Sequence, residues 1–540
     1  MESGKQDMPV YAPIDPSESM DAIGHRIQHY AETRDNHPAL IDEQGTLDWR
    51  GLVDQVNRIA NRLREAGLRP GESVAALCGT GRDDVALYLG TLVAGGCMVP
   101  LSGMASAEAL AMMVADCRAR FLFVSGQHQA LLTALRDQLT DLPTERIISL
   151  DAPLDEAGHQ LIDWLAQSAT TARPEPVTLD DPFNIIYSSG TTGTPKGILH
   201  DYRFRQRQMV RMSHYGLDGD AINLVSTPLY SNTTLVSVLP TLYHGGTLVL
   251  MPKFNARRFL ELAEAHRVTH AMLVPVQYQR ILAEPDFDRF DLTSFKLKLC
   301  TSAPLRSAVI ADAMARWPGN LREVYGLTEG GISTSLDCAA HPDKWNSVGV
   351  PTQGAEVRVI GEDDRELPRG ATGELVGRAI SMMRGYVNRP DQTREMLWAS
   401  PRGEVFYRSG DMGRIDEDGF IYILDRRKDM IISGGFNVYP VDLEKVLLTH
   451  PAVADATVIG IPSEQWGETP MGLVVTRPGH DETETTILEW ANRQLGKSQR
   501  LATIEFRTAL PRSTIGKVLK RELRAPYWVG TRGRGEQVAP

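Results

Sequence analysis

Between Tyr187 and Gly197 the chain reads YSSGTTGTPKG, a string that supplies three glycines, four hydroxyl-bearing residues from Ser188 to Thr192 and one lysine, Lys196. Glycine lets backbone approach a ligand closely, and successive N–H groups form a nest for an anion. The hydroxyls of Ser188, Ser189, Thr191 and Thr192 add donors, Gly190 and Gly193 add room, and Lys196 adds charge. The chemistry this points to is the binding of phosphate. The loop is not a Walker loop, because Pro195 stands before Lys196 where that motif needs glycine.

An apolar strand, FNIIYSS, leads into this loop. Upstream, helix-like and strand-like segments alternate: VDQVNRIANRLREAGL, with Gly67 placed to end a helix, then ESVAALC, DDVALYLGTLVAGG, CMVPL, ALAMMVADCRA and RFLFVSG. Such alternation predicts parallel sheets covered by helices. The apolar run Val85 to Leu101 is broken by Gly95, Gly96 and Pro100, which suits a buried helix entering a strand better than a membrane span. TARPEPVTLDDP reads as a linker. After Gly373 the segments GELVGR, EVFYRSGDMGRI and FIYILDR predict short antiparallel strands, with a turn at Asp418-Gly419. A small domain is expected from Lys428, with a helix opened by Pro440 and closed by Pro451 and another near TILEWANRQL. The tail GTRGRGEQVAP is expected to be disordered.

The bulk composition sets limits. A chain of 540 residues exceeds one ordinary core. A net charge of -11 argues against a nucleic-acid partner. Five scattered cysteines, none in a C-x-x-C pair, and an N-terminus without a signal-like apolar core point to a reducing compartment, the cytoplasm. His200, His214, His244 and His270 show no metal-ligand spacing and read as structural or solvated.

Six further segments stand in order along the chain: TSAPL (301–305), YGLTEGG (325–331), RSGDMGRI (408–415), DRRKDMI (425–431), SGGFNVYP (433–440) and PRSTIGK (511–517). Together with the phosphate loop they resemble the acyl-adenylate-forming superfamily, which includes acyl-CoA synthetases, peptide-synthetase adenylation domains and beetle luciferases. The resemblance covers nearly the whole chain. It implies an α/β fold with a large N-terminal region of parallel βα subdomains plus a small barrel-like β region (1–427), a mobile α+β C-terminal domain (428–527) and a tail (528–540). It implies ATP, Mg²⁺ and coenzyme A as cofactors, a small-molecule carboxylic acid as substrate and a monomer or homodimer as the assembly.

The resemblance also assigns roles. Tyr325 and Gly326 would face adenine, with Ser302, Ala303 and Pro304 opposite. Thr328 would touch the α-phosphate and Glu329 would hold Mg²⁺, a hard ion suited by carboxylate oxygen. Asp411 would accept the ribose hydroxyls, and Arg426 would add charge. Lys517 would hold carboxylate and α-phosphate together, and Lys428 would be the hinge. Ser433, Gly434 and Gly435 would line the thiol's path. The acid pocket would draw on Tyr230, Ser231, Thr233, Thr234, Gly330 and Gly331. Ser231 stands where coumarate–CoA ligases often carry histidine, leaving a hydroxyl-lined wall. That wall suits an aryl or hydroxycinnamate-type acid such as ferulate. A medium-chain fatty acid and a carrier-protein thiol as acceptor remain as alternatives.

Overall fold

The computed structural model describes residues 17–528 except 78, 189–194, 434–435, 497–498 and 514–515. The chain divides into two compact units, one of residues 1–345, 351–356 and 377–407, the other of 346–350, 357–376 and 408–540.

In the first unit one sheet orders its strands Ser333–Asp337, Asn320–Gly326, Leu297–Cys300, His270–Leu273, Ile222–Val225, Thr247–Leu250, Pro38–Asp42 and Gly45–Asp48. All neighbours are parallel except the outermost pair at each end of this series. The second sheet has eight strands. It runs from Gly385–Tyr386 through Lys196–Asp201 and Pro182–Ser188 to Cys97–Pro100 and Ser73–Leu77, then on to Phe121–Val124, Ile147–Ser149 and His159–Gln160. The expected parallel βα alternation is therefore present. The apolar run Val85 to Leu101 folds as helix Arg82–Val93 and strand Cys97–Pro100. Full burial on both faces explains why these strands read as continuous apolar runs and not as alternating ones.

Helix Trp49–Glu65 begins at Asp48, whose carboxylate accepts from the Gly51 N–H at 2.7 Å. Its apolar face packs with helices Ile23–Thr33, Arg82–Val93 and Asn232–Tyr243 in one core that includes Trp49, Val56, Leu89, Leu235 and Val238. Through Phe183 and Ile186 that core also backs strand Pro182–Ser188, which leads into the phosphate loop.

In the second unit, strands Val405–Ile415 (from Arg408 onward) and Ile421–Arg426 pair antiparallel, with a register shift at Met412/Gly413. A second sheet joins Phe436–Val438, Ile431–Ser433, Gly467–Thr476, Val453–Ser463 and Thr503–Phe506. Helices Pro440–Leu448 and Glu484–Gln494 cover it through Leu443, Leu447, Ile487 and Ala491. Pro440 opens its helix at N1 as the sequence predicts. Among the described residues no helix is long and apolar enough to cross a membrane. Cys97, Cys117, Cys300 and Cys338 are buried free thiols.

Candidate active site

The phosphate loop joins two strands paired antiparallel, with Ser188 opposite Lys196. This hairpin fixes both ends of the loop; Ser189, Gly190, Thr191, Thr192 and Gly193 lie outside the described residues. Tyr187 is anchored by its hydroxyl, which donates to Asp116 Oδ2 at 2.8 Å. The Lys196 ammonium stands 5.2 Å from the centroid of the Tyr386 ring, a cation–π distance.

Tyr325 and Gly326 end strand Asn320–Gly326, whose neighbour Leu297–Cys300 leads directly into Ser302, Ala303 and Pro304. The sheet thus brings these two segments side by side. Glu323 reinforces the pairing: its Oε1 accepts the Leu305 N–H at 3.1 Å. Burial pushes the Glu323 carboxyl up to about 8. Ser302 holds φ +78°, a left-handed conformation that costs a non-glycine residue about 1–2 kcal/mol. Its hydroxyl meets that of Thr233 at 2.9 Å, a bond that helps hold the strained residue.

Thr233 belongs to helix Asn232–Tyr243, and Ser231 is its N-cap residue without a side-chain cap bond. Thr234 is committed elsewhere, its hydroxyl bonded to Thr227 Oγ1 at 2.8 Å and the Pro228 carbonyl at 2.7 Å. The buried Asn232 Oδ1 has no hydrogen-bond partner among the described residues. Tyr230 lines a small cavity with Leu229, Asp84, Tyr88 and Met98.

The YGLTEGG loop is held from several sides. Met383 N–H donates to the Glu329 carbonyl at 2.8 Å, and Gly331 N–H donates to the Ser381 carbonyl at 3.1 Å. Gly330 and Gly331 have φ +74° and +78°. A Cβ at Gly330 would lie 2.3 Å from the Ser381 carbonyl oxygen, and one at Gly331 2.8 Å from Tyr407 Cβ. Packing and backbone conformation therefore both require glycine there. The Tyr386 hydroxyl reaches Glu329 Oε1 at 2.9 Å and the Tyr407 hydroxyl at 2.7 Å. The carboxylate of Glu329 is thus aimed by a tyrosine pair that sequence reasoning missed.

In the second unit Asp411 and Arg426 are direct cross-strand partners, with Arg426 Nε 2.8 Å from Asp411 Oδ1. Asp411 is 3% exposed. Gly410 (φ +69°) turns the chain here, and its N–H donates to Glu374 Oε1 at 3.3 Å. Glu374 also accepts from Arg408 and Arg427, both at 3.1 Å. Lys517 lies beside this pair. Though its side chain keeps contact with solvent, the protein crowding around it lowers its ammonium to about 8; Arg426 and Lys428 push the same way, while Asp411 and Asp429 oppose them. So the structure brings together Asp411, Arg426, Lys428 and Lys517, residues up to 106 positions apart. The Lys428 ammonium is also lowered, first by burial. Lys520, which the sequence did not single out, bonds Glu444 Oε1 at 2.9 Å and lies 3.6 Å from Asp425 Oδ2. Ser433 closes strand Ile431–Ser433; Gly434 and Gly435 lie outside the described residues.

Residues 27–387 match the family model of AMP-binding enzymes, and residues 442–517 match that of the AMP-binding enzyme C-terminal domain. The chain therefore belongs to the acyl-adenylate-forming AMP-binding enzymes and is an AMP-forming acid–thiol ligase. It is similar to a feruloyl-CoA synthase of Amycolatopsis sp., at 34% identity over 500 residues that span 91% of this chain and 96% of that protein. It is 32% identical over 528 residues to the fatty acid–acyl-carrier-protein ligase ScoC of Streptomyces coeruleorubidus, spanning 94% and 98% of the two. Among solved structures, ATP-bound MatB from Rhodopseudomonas palustris matches with a TM-score of 0.81 at 28% identity, over 93% of this chain and 99% of that one.

Proposed function

We propose that the acid is aromatic, of the hydroxycinnamate class to which ferulate belongs, and that the acceptor is coenzyme A. The observation that carries this is the polar start of helix Asn232–Tyr243. Ser231 makes no cap bond, Thr233 meets Ser302, and the buried Asn232 Oδ1 has no partner among the described residues. A buried acceptor left unsatisfied costs about 1–3 kcal/mol, which a phenolic O–H on the acid offsets and an alkyl chain does not. The similarity to the Amycolatopsis feruloyl-CoA synthase supports the same reading. A second reading has support from ScoC: a fatty acid passed to a carrier-protein thiol.

The roles we propose follow the chemistry. The acid's carboxylate oxygen attacks the α-phosphorus of ATP, and pyrophosphate leaves. Ser188 to Gly193 and Lys196 hold the phosphates, and Thr328 donates its hydroxyl to the α-phosphate. Tyr325, Gly326, Ser302, Ala303 and Pro304 flank adenine, while Asp411 accepts from the ribose with Arg426 beside it. Lys517 neutralises the carboxylate and phosphate as they meet. Glu329 would hold Mg²⁺. A single protein carboxylate suits Mg²⁺, which takes most of its other ligands from phosphate and water. The thiol then attacks the acyl carbon and AMP leaves, with Ser433, Gly434 and Gly435 lining its path. Tyr230, Ser231, Thr233 and Thr234 wall the acid, above the loop that Gly330 and Gly331 shape. We place the enzyme in the cytoplasm, where its buried thiols stay reduced.

Pyrophosphate release across acetate, octanoate, benzoate, coumarate and ferulate, with ATP and coenzyme A, tests the substrate. We expect coumarate or ferulate to exceed octanoate in kcat/KM by about tenfold or more, the discrimination one unsatisfied buried polar group provides. Preference for octanoate would overturn the aromatic reading, and turnover only with a carrier protein would overturn the acceptor. We further propose that residues from Lys428 onward swing between the two half-reactions. Lys428→Pro, which fixes φ at that position, is expected to slow thioester formation more than pyrophosphate release. Equal slowing of both would count against the hinge.

A further inference from the structure

We propose that His200 is a positioning residue for adenylation: its imidazole, fixed in one tautomer by Arg205 and Asn184, holds the Thr328 carbonyl and so sets the Thr328–Glu329 peptide. The inference rests on the reading of Thr328 and Glu329 as the residues that face the α-phosphate and the metal.

His200 lies in strand Lys196–Asp201, four residues beyond Lys196, and is fully buried. Its Nε2 is 2.7 Å from the Thr328 carbonyl oxygen. A carbonyl only accepts, so Nε2 carries the proton. The other nitrogen, Nδ1, faces two groups that only donate: Arg205 Nη2 at 3.0 Å and Asn184 Nδ2 at 3.3 Å. Asn184 is itself oriented, because its Oδ1 accepts from Arg205 Nε at 2.7 Å. Arg205 Nη1 donates to Gln208 Oε1 at 2.7 Å. Every donor and acceptor in this set agrees on a single tautomer.

Arg205 is fully buried and, among the described residues, is seen with no ion-pair partner. Burial lowers its guanidinium only to about 10, so it stays a cation at neutral pH. A second proton on His200 would set two cations 3.0 Å apart in the core. Burial and the Arg205 charge accordingly hold the imidazole well below the ordinary histidine range. His200 is a donor whose state does not change in the working range. The Phe204 ring stacks on it at 4.0 Å with 16° between planes and clamps its orientation. The result is a cross-tie over 128 residues, from the strand leaving the phosphate loop to the loop carrying Thr328 and Glu329. A buried cation with neutral partners is costly to fold around. Its use here is to make one hydrogen bond unambiguous in direction.

The test separates stability from positioning. In His200→Asn the side-chain amide oxygen takes the place of Nδ1, keeping Arg205 satisfied, but it cannot reach Thr328. His200→Gln places an N–H near Nε2 and leaves Arg205 short of an acceptor. We expect His200→Asn to melt close to wild type, yet to lose about tenfold or more in kcat for pyrophosphate release at saturating MgATP, the scale of a small misplacement of reacting groups. We expect His200→Gln to be the less stable of the two and the more active. Activity that merely tracks stability, or His200→Asn within about twofold of wild type, would overturn the proposal. Should His200→Asn not fold, the Gln variant decides. A kcat per folded molecule within about threefold of wild type supports the role, and a greater loss overturns it. Thr328→Ala is run alongside: full activity there removes the reading of Thr328 without touching the His200 result.

Discussion

Lys517→Ala is expected to slow pyrophosphate release by about 10²–10³-fold while still converting supplied acyl-adenylate and coenzyme A to thioester. Lys517 follows Gly516 (φ +79°) and precedes a β-bridge between Arg512 and Val518, with its own N–H donating to Ser513 Oγ at 3.1 Å. The turn therefore fixes the backbone while the long stem carries a compact charge towards Asp411 and Arg426. In adenylation two anions, carboxylate and α-phosphate, must approach each other. Removing the cation that screens them is expected to cost about 10²–10³-fold in kcat, or ~3–4 kcal/mol. The second half-reaction starts from the acyl-adenylate, in which the carboxylate has already lost its charge, and the thiol does not have to approach a second anion in the same way, so it is spared. The lowered ammonium pKa adds a pH signature. The charged form is the active one, it is complete below about 8, and it is lost as pH rises through that value. The kcat/KM of wild-type pyrophosphate release, which reports the free enzyme, should fall along an alkaline limb centred near 8. Lys517→Arg keeps its charge and should move that limb upward. Loss of both half-reactions to the same degree would show that the lysine is not specific to the first.

The elements were legible where hydrophobic period and turn residues agree. The run Val85 to Leu101 broke into helix and strand where Gly95, Gly96 and Pro100 stand. The helix expected from Val53 starts earlier, at Trp49, because Asp48 caps it; that cap was visible in the sequence but lay outside the apolar period used to place the helix. The segment expected as a strand folds as Pro182–Ser188, yet its antiparallel return through Lys196–Asp201 was not anticipated, since the glycine-rich loop hides the hairpin. The site shows a similar division. Ordered motifs marked the groups proposed to touch substrate. The groups that aim them left no local trace: Tyr386 lies 57 positions from Glu329, and Glu374 lies 34 and 53 from Arg408 and Arg427. His200 is the sharpest instance. Its spacing excludes a metal site and suggests a structural or solvated side chain, but the burial and tautomer that give it a defined donor exist only after residues 184, 205 and 328 meet. The resemblance assigned Gly330 and Gly331 to the acid pocket; that both must be glycine, through close packing and positive φ, emerges only from the structure.

Glu329→Gln and Tyr386→Phe should separate the proposed metal ligand from the group that aims it. The Tyr386 hydroxyl has one proton and two neighbours, Glu329 Oε1 and the Tyr407 oxygen. A carboxylate cannot donate, so Tyr386 donates to Glu329 and Tyr407 donates to Tyr386. Burial, and then the nearby Glu329 charge, pushes both phenols above their ordinary range, so both remain protonated donors throughout the neutral range. Lys196 over the Tyr386 ring ties the phosphate-loop lysine to the same cluster. Tyr386→Phe keeps the ring and that contact but removes the hydroxyl, leaving Tyr407 as the one member of the pair that still bonds Glu329. The concentration of Mg²⁺ giving half-maximal pyrophosphate release should rise by about 10–100-fold, the usual cost of losing a partner that orients a metal ligand, with most of kcat restored at saturating Mg²⁺. Glu329→Gln replaces the hard anionic oxygen itself. It should lose about 10²–10³-fold in kcat and not recover at any Mg²⁺ concentration, because the charge that fixes the ion against the phosphates is gone. A Mg²⁺ requirement left unchanged by both substitutions would mean that this carboxylate serves the loop and not the ion.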